Sequence, residues 1–156
     1  MSSIVVVDTS VLLNILDVPG RNQAREAVLA RLGELIEAGD HLFIPMAAIV
    51  EVGNGAHRRA AAERFVVEVR RALSNEAPWK PINFPSNDEV LGWLDAFPDS
   101  ATHGVGMGDL SIKKEWEELC RRHSLSHVWV WALDGDLAGL YRRAPPRRRP
   151  RVRDEL

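Results

Sequence analysis

The sequence predicts a single α/β domain built on a parallel sheet, and three observations lead to this prediction. Residues 4–7 form a short apolar, β-branched run, which is typical of a strand buried on both faces. Apolar residues at helical spacing follow directly, from Leu12 to Leu16. Short apolar runs and longer amphipathic segments then alternate along the chain, as in proteins whose parallel strands are joined by helices.

Periodicity and capping signals predict the remaining elements. Asn22 is a candidate cap for a helix that ends before Gly39, Pro45 suits a first helical position, and Ser86 begins a capping box with Glu89. In chain order we expect a helix over 22–38, a strand over 41–44, a helix from Pro45, a helix over 56–74, a strand over 82–84, a helix after Ser86, a loose stretch over 98–108, a helix over 109–123, a strand over 127–131 and a short helix after Leu133.

The composition is that of an ordinary soluble domain. The chain has 156 residues, 46% of them hydrophobic and 27% charged, which suffices for one domain with a sizeable core. No apolar stretch approaches the roughly 20 residues that a membrane span needs, and no secretory signal is evident. Cys120 is the single cysteine, which favours a reducing compartment, so we expect a cytoplasmic protein without membrane contact.

Charge is distributed unevenly along the chain. Seven of the 20 basic residues lie between Tyr141 and Leu156, whereas the first 140 residues hold 13 basic and 20 acidic side chains. We therefore expect one folded domain over residues 1–143 and an arginine- and proline-rich tail over 144–156.

Acidic residues follow two of the predicted strands. Asp8 ends the first strand, and Asp134 and Asp136 follow the strand at 127–131. In parallel sheets the carboxyl ends of the strands meet at one edge, where ligands bind. Each acid also has a plain structural interpretation, because Asp8 or Asp136 can cap a helix and Asp134-Gly135 is a turn signal.

Two further acids lie on predicted helices. Glu51 is surrounded in sequence by apolar residues, where a carboxylate is costly unless it is paired or bound. Its structural alternative is an ion pair with an arginine of the next helix. Asp109 begins the apolar stripe of its helix, and its alternative is a favourable acid at a helix N-terminus, paired with Lys113.

Carboxylates that converge on one edge repel each other, so such a cluster persists only around a cation. Oxygen ligands suit Mg²⁺, for which Mn²⁺ can substitute. The hydroxyls of Thr9 and Ser10 are candidates for orienting the substrate, a bound water or Asp8 itself. The candidates for contacting nucleic acid are Arg58, Arg59, Lys113, Arg147, Arg148 and Arg149. The structural alternative for each of them is a place on a solvated surface.

At four segments the chain resembles the PIN-domain nucleases: residues 5–14, 45–51, 108–112 and 132–137. The resemblance implies a three-layer α/β/α fold with a Rossmann-like central parallel sheet. It also implies cleavage of RNA that depends on Mg²⁺ or Mn²⁺. The carboxylates that it implicates in catalysis or metal binding are Asp8, Glu51, Asp109 and Asp134, with Asp136 as a further ligand or as the substitute for Asp134.

Many small members of that family are toxins of VapBC-type toxin–antitoxin pairs, so the resemblance also implies an antitoxin that covers the acidic pocket, and a homodimer. Two other interpretations stay open at this point. One is a catalytically inactive PIN-like module that binds protein or RNA. The other is a phosphatase of the haloacid-dehalogenase type, which needs an aspartate where this chain has Ser10.

Overall fold

The computed structural model describes residues 2–82, 84–133 and 135–145. Its strands are β1 (Ile4–Val7), β2 (His41–Phe43), β3 (Val128–Trp131) and β4 (Tyr141–Arg142). Its helices are α1 (Thr9–Ile15), α2 (Arg25–Glu37), α3 (Met46–Gly55), α4 (Arg59–Leu73), α5 (Asn87–Thr102) and α6 (Met107–Arg122), with a 3₁₀ helix over Asp136–Gly139.

The four strands form one mixed sheet in the order β2-β1-β3-β4. β1 is parallel to both of its neighbours, with Ile4 opposite His41 on one side and Val128 on the other. β4 is antiparallel to β3. Because the chain leaves β1 first toward β2 and only later returns to place β3 on the other side, the topological switch point lies between β1 and β3, where α/β proteins bind their ligands.

Two apolar layers cover the sheet, which makes the fold a three-layer α/β/α arrangement. Alternate residues of β1 point to opposite faces, as the period of a strand requires. Val5 and Val7 pack with residues of α1, α2, α3 and α4. Ile4 and Val6 pack with residues of α6 and of the 3₁₀ helix. The predicted α/β class is therefore confirmed, and β1 is its central strand.

The predicted strand at 82–84 is wrong. Ile82 and Phe84 lie outside any strand, and the chain before them pairs with β2 through an isolated bridge between Leu42 and Trp79. Pro81 and Pro85 flank the segment, and proline cannot donate a ladder hydrogen bond.

The predicted loose stretch at 98–108 is also wrong, because α5 continues to Thr102 with Pro98 inside it. Proline at this position removes one helical hydrogen bond. The packing of α5 against α6 outweighs that loss, and the hydroxyl of Thr102 donates to the carbonyl of Pro98 at 3.0 Å.

Two smaller expectations also need correction. α2 begins at Arg25 with Ala24 at its N-cap, so Asn22 does not cap it, and the side-chain amide of Asn22 donates to Asp17 at 2.9 Å. That bond, aided by the charges of Arg25 and Arg64, lowers the pKa of Asp17. The edge strand β4 was not predicted, since two residues are too few to show a periodicity.

In the described part of the chain, no helix combines the length and the apolar character that crossing a membrane requires. The predicted boundary at residue 143 stays a prediction, and most of the arginine-rich tail lies outside the described residues.

Candidate active site

The turn from β1 into α1 holds the first candidate acid. Asp8 is 8% exposed and caps α1, with its Oδ2 accepting the amide of Ser10 at 3.3 Å and the Ser10 hydroxyl at 2.8 Å. Ser10 Oγ in turn accepts the amide of Leu133 at 3.2 Å. The Ser10 side chain therefore links the end of β1 to the segment that follows β3, at the switch point of the sheet.

The far end of α1 is held by side chains from two other helices. Arg25 of α2 donates to the carbonyls of Asn14 and Ile15 at 2.7 and 2.6 Å. Arg64 of α4 donates to the carbonyls of Leu16 and Asp17 at 2.6 and 2.9 Å. These carbonyls lie at the negative end of a short helix, where cations are favourable. Both arginines thus fix the helix whose first turn carries the candidate site.

Arg64→Ala is expected to lower the free energy of unfolding by about 2 kcal/mol, because two partly buried carbonyls lose charge-assisted hydrogen bonds. Urea denaturation followed by circular dichroism measures this loss. Arg59→Ala, on the same helix, is the matched control: its ion pair with Glu63 is exposed and should contribute about 0.5 kcal/mol or less. Equal effects of the two substitutions would show that Arg64 does not support α1.

Glu51 of α3 lies against the same turn. Its Oε2 accepts the hydroxyl of Thr9 at 2.7 Å, and the carboxylate is half-buried. Among the described residues no arginine pairs with it, so the ion-pair alternative is not realised. Its Oε1 faces Gly108 in the first turn of α6, since a Cβ atom at position 108 would lie only 1.9 Å away. Thr9 and Gly108 therefore enclose the Glu51 carboxylate from two sides.

A depression of about 300 Å³ lies next to the start of α6, and two more of the predicted acids line it. Asp109, in the first turn of α6, and Asp136, in the 3₁₀ helix, both line it, together with Lys113. The segment after β3 contacts the β1–α1 turn through Ser10, and the start of α6 faces the same turn through Glu51. That the acids themselves converge there stays a prediction.

A comparison with protein families identifies the family of this chain. The PIN domain family matches residues 5–97, which is more than half of the chain and includes both Asp8 and Glu51. The chain belongs to the PIN-domain family. The resemblance found in the sequence is thereby confirmed at the level of the family. A search of curated proteins gives no significant match.

PIN domains are generally nucleases, which hydrolyse the phosphodiester bonds of nucleic acids, and they typically use divalent metals. The family match ends before α6, so it does not reach Asp109, Asp134 or Asp136. For these three acids the assignment rests on the sequence pattern and, for Asp109 and Asp136, on the depression that they share.

Several predicted site residues are not brought into one cluster. Over residues 2–82, 84–133 and 135–145, no group of three or more acids, histidines or cysteines is arranged to hold a metal ion. Asp134, Arg147, Arg148 and Arg149 lie outside the described residues. Arg58 and Arg59 are exposed near the start of α4, and Arg59 pairs with Glu63. Lys113 is the candidate cation that shares a depression with two candidate acids.

Sequence reasoning missed the residues that hold this PIN-domain site in place. Gly108 was interpreted as part of a loose stretch, and its place in the segment 108–112 gave no sign of its contact with Glu51, because its backbone is ordinary helix. Arg25 and Arg64 carry no local signal, because a helical arginine that binds a distant carbonyl looks like any other surface arginine.

Proposed function

We propose that this PIN domain is a metal-dependent endoribonuclease and that it acts as the toxin of a toxin–antitoxin pair. The observation that carries the nuclease proposal is the Asp8-Thr9-Ser10 turn. In this turn the Thr9 hydroxyl donates to Glu51, and the Ser10 hydroxyl donates to Asp8 and accepts the amide of Leu133 after β3. A turn that holds two acids of a nuclease family in fixed positions is suited to chemistry rather than to capping alone.

The chemistry of the donor set fits a hard divalent cation. The candidate ligands are carboxylate oxygens, which suit Mg²⁺ or Mn²⁺. Asp8, Asp109 and Asp134 or Asp136 are the residues proposed to hold it. A cation bound there would supply electrostatic stabilisation of the charge that develops on the phosphate during hydrolysis.

The remaining groups have roles that their contacts suggest. Glu51 is proposed to accept a proton from the attacking water, or else to help hold the cation. Thr9 donates to Glu51 and so orients its carboxylate. Ser10 does the same for Asp8. In this arrangement both hydroxyls act on the acids, although contact with the substrate remains part of the proposal.

Lys113 is proposed to bind a phosphate of the RNA strand beside the acids. Lys113→Ala should weaken RNA binding and reduce the dependence of log Kd on log salt concentration by about 1, the loss of one phosphate contact. Fluorescence anisotropy at several salt concentrations, in EDTA, measures both. Lys114→Ala is the matched control, because the neighbouring Lys114 is paired with Glu117. A salt dependence that Lys113→Ala leaves unchanged would exclude this contact.

The nuclease proposal is tested by incubating the full chain with a structured RNA, and with DNA of the same sequence, in Mn²⁺, Mg²⁺ or EDTA. We expect internal cleavage of the RNA in the presence of either metal and none in EDTA. RNA binding without cleavage and without Mn²⁺ binding would favour the inactive module instead. Cleavage of the DNA alone would contradict the proposed substrate.

The toxin proposal rests on the resemblance of the four sequence segments to small family members. The expected antitoxin covers the acidic edge and places a basic side chain there, since a cation would offset the repulsion among the carboxylates. Induced expression in a bacterial host should arrest growth, and expression of Asp8→Asn should not. Normal growth with the active nuclease present would contradict the toxin role while leaving the ribonuclease proposal intact.

A further inference from the structure

Gly108 makes the closest approach between α6 and the acid on α3. A Cβ atom at this position would lie 1.9 Å from Oε1 of Glu51 and 3.1 Å from its Cδ. Non-bonded atoms do not approach to 1.9 Å, so no residue with a side chain fits at position 108 while Glu51 keeps its place. Asp109 is the next residue in the chain, which puts this contact inside the candidate site.

The backbone at Gly108 does not itself require glycine. The residue is helical, within the first turn of α6, and its φ is not in the left-handed region. Its carbonyl accepts the hydroxyl of the buried Ser111 at 2.7 Å. Because the helix and Ser111 hold this backbone, an added methyl group would displace the end of the flexible Glu51 side chain rather than the helix.

The other side of the Glu51 carboxylate is held by Thr9 at 2.7 Å. The carboxylate is therefore confined between the hydroxyl of α1 and the first turn of α6, whose N-terminus favours negative charge. Moving the carboxylate away from Gly108 would disturb the Thr9 hydrogen bond at the same time.

We propose that Gly108 is a positioning residue: its missing side chain leaves the space in which the Glu51 carboxylate lies between Thr9 and the start of α6. This inference rests on the proposed ribonuclease function and adds to it a residue that acts only through Glu51. It leads to an unusual expectation, because alanine is the better helix former. Gly108→Ala should weaken the site without weakening the fold.

The matched control is Gly92→Ala, in α5, where an added Cβ meets no described atom within 4 Å. Gly92→Ala should raise the melting temperature by about 2–4 °C and leave cleavage unchanged. Gly108→Ala should give a smaller rise or none, because Glu51 must move. It should also lower kcat roughly 10- to 100-fold with little change in the KM for RNA, as expected when a supporting contact of a site is disturbed.

A double-mutant cycle separates the positioning role from the nuclease function. In a Glu51→Ala background the obstacle is gone, so Gly108→Ala should then raise the melting temperature more than it does in the wild type. The Thr9 methyl resonance supplies a second readout: Gly108→Ala should shift it in the presence of Glu51, and Gly92→Ala should not.

Two results would overturn the inference. One is an equal effect of Gly108→Ala on melting temperature with and without the Glu51 side chain. The other is coupling between the two positions together with undiminished cleavage by Gly108→Ala. Coupling and a shifted Thr9 signal in a protein that cleaves no RNA would instead support the positioning of Glu51 and contradict only the nuclease proposal.

Discussion

Replacing Asp8 with asparagine is expected to abolish RNA cleavage while leaving the fold intact. Asparagine caps helices as well as aspartate does, and its side-chain oxygen can still accept the Ser10 amide. The substitution removes the negative charge, and with it the ability to hold a divalent cation at the end of β1. We expect cleavage to fall by roughly 10²- to 10³-fold or more, the size of effect seen when one group that stabilises developing charge is lost.

The matched control is Asp40→Asn, at the opposite edge of the sheet. Asp40 also accepts a backbone amide, that of Ser3 at 2.7 Å, but it lies before β2 rather than after β1. Cleavage in Mn²⁺ and unfolding in urea are measured for both variants. Cleavage retained by Asp8→Asn, or an equal loss in Asp40→Asn, would contradict the role of Asp8.

The position of Asp8 could be predicted from the sequence because the signals are local. Four β-branched apolar residues indicated β1, and the acid and two hydroxyl residues that follow them indicated a strand-to-helix turn. The hydrogen bond between Thr9 and Glu51 could not be predicted in this way, because the two residues are 42 residues apart and only the fold brings them together. A single sequence shows that both residues are polar and says nothing about their separation in space.

The residues that support the site could not be predicted, for a related reason. Gly108 has an ordinary helical backbone, so its only special property is the atom of Glu51 next to it. Glu115 lies in a charged stretch of α6 that looks like a solvated helix face, yet both of its carboxylate oxygens are hidden from solvent. In each case the environment is created by elements distant in sequence: α3 supplies Glu51 beside Gly108, whereas β1, β2 and the start of α3 lie around Glu115. Such packing leaves no periodic signal at a single position.

Glu115 occupies an unusual place between α6 and the start of α3. Its side chain lines a cavity of about 30 Å³ whose walls are mostly apolar. Glu89 of α5 and Glu118 of α6 line the same cavity. Neither oxygen makes a hydrogen bond of ordinary geometry to a described residue. Burial raises the pKa of Glu115 to about 7; the nearby Met46 amide opposes this rise and the charge of Glu89 adds to it.

This raised pKa makes the protein less stable at alkaline pH. A glutamate in the unfolded chain titrates near 4.5, so between about pH 4.5 and 7 the folded protein binds the extra proton. Stability from this group is therefore lost progressively as the pH rises from about 4.5 through 7. The full loss above pH 7 is about 3 kcal/mol at 1.36 kcal/mol per pKa unit. Glu115→Gln cannot ionise and should be more stable than the wild type at pH 8, but not at pH 5.

Urea unfolding of both proteins at pH 5, 6, 7 and 8 measures the difference, and Glu115→Met repeats it with an apolar side chain that suits the cavity. Glu118→Gln is the control. Its partners Arg121 and Arg122 lower the pKa of Glu118 to about 2, so its contribution is lost only as the pH falls well below 4.5. The Glu118→Gln and wild-type curves should therefore run parallel from pH 5 to 8. A Glu115→Gln curve that also runs parallel to the wild-type curve would contradict this prediction. Glu115 would then be ionised and solvated in the folded protein, and no buried carboxyl group would lie between α6 and α3.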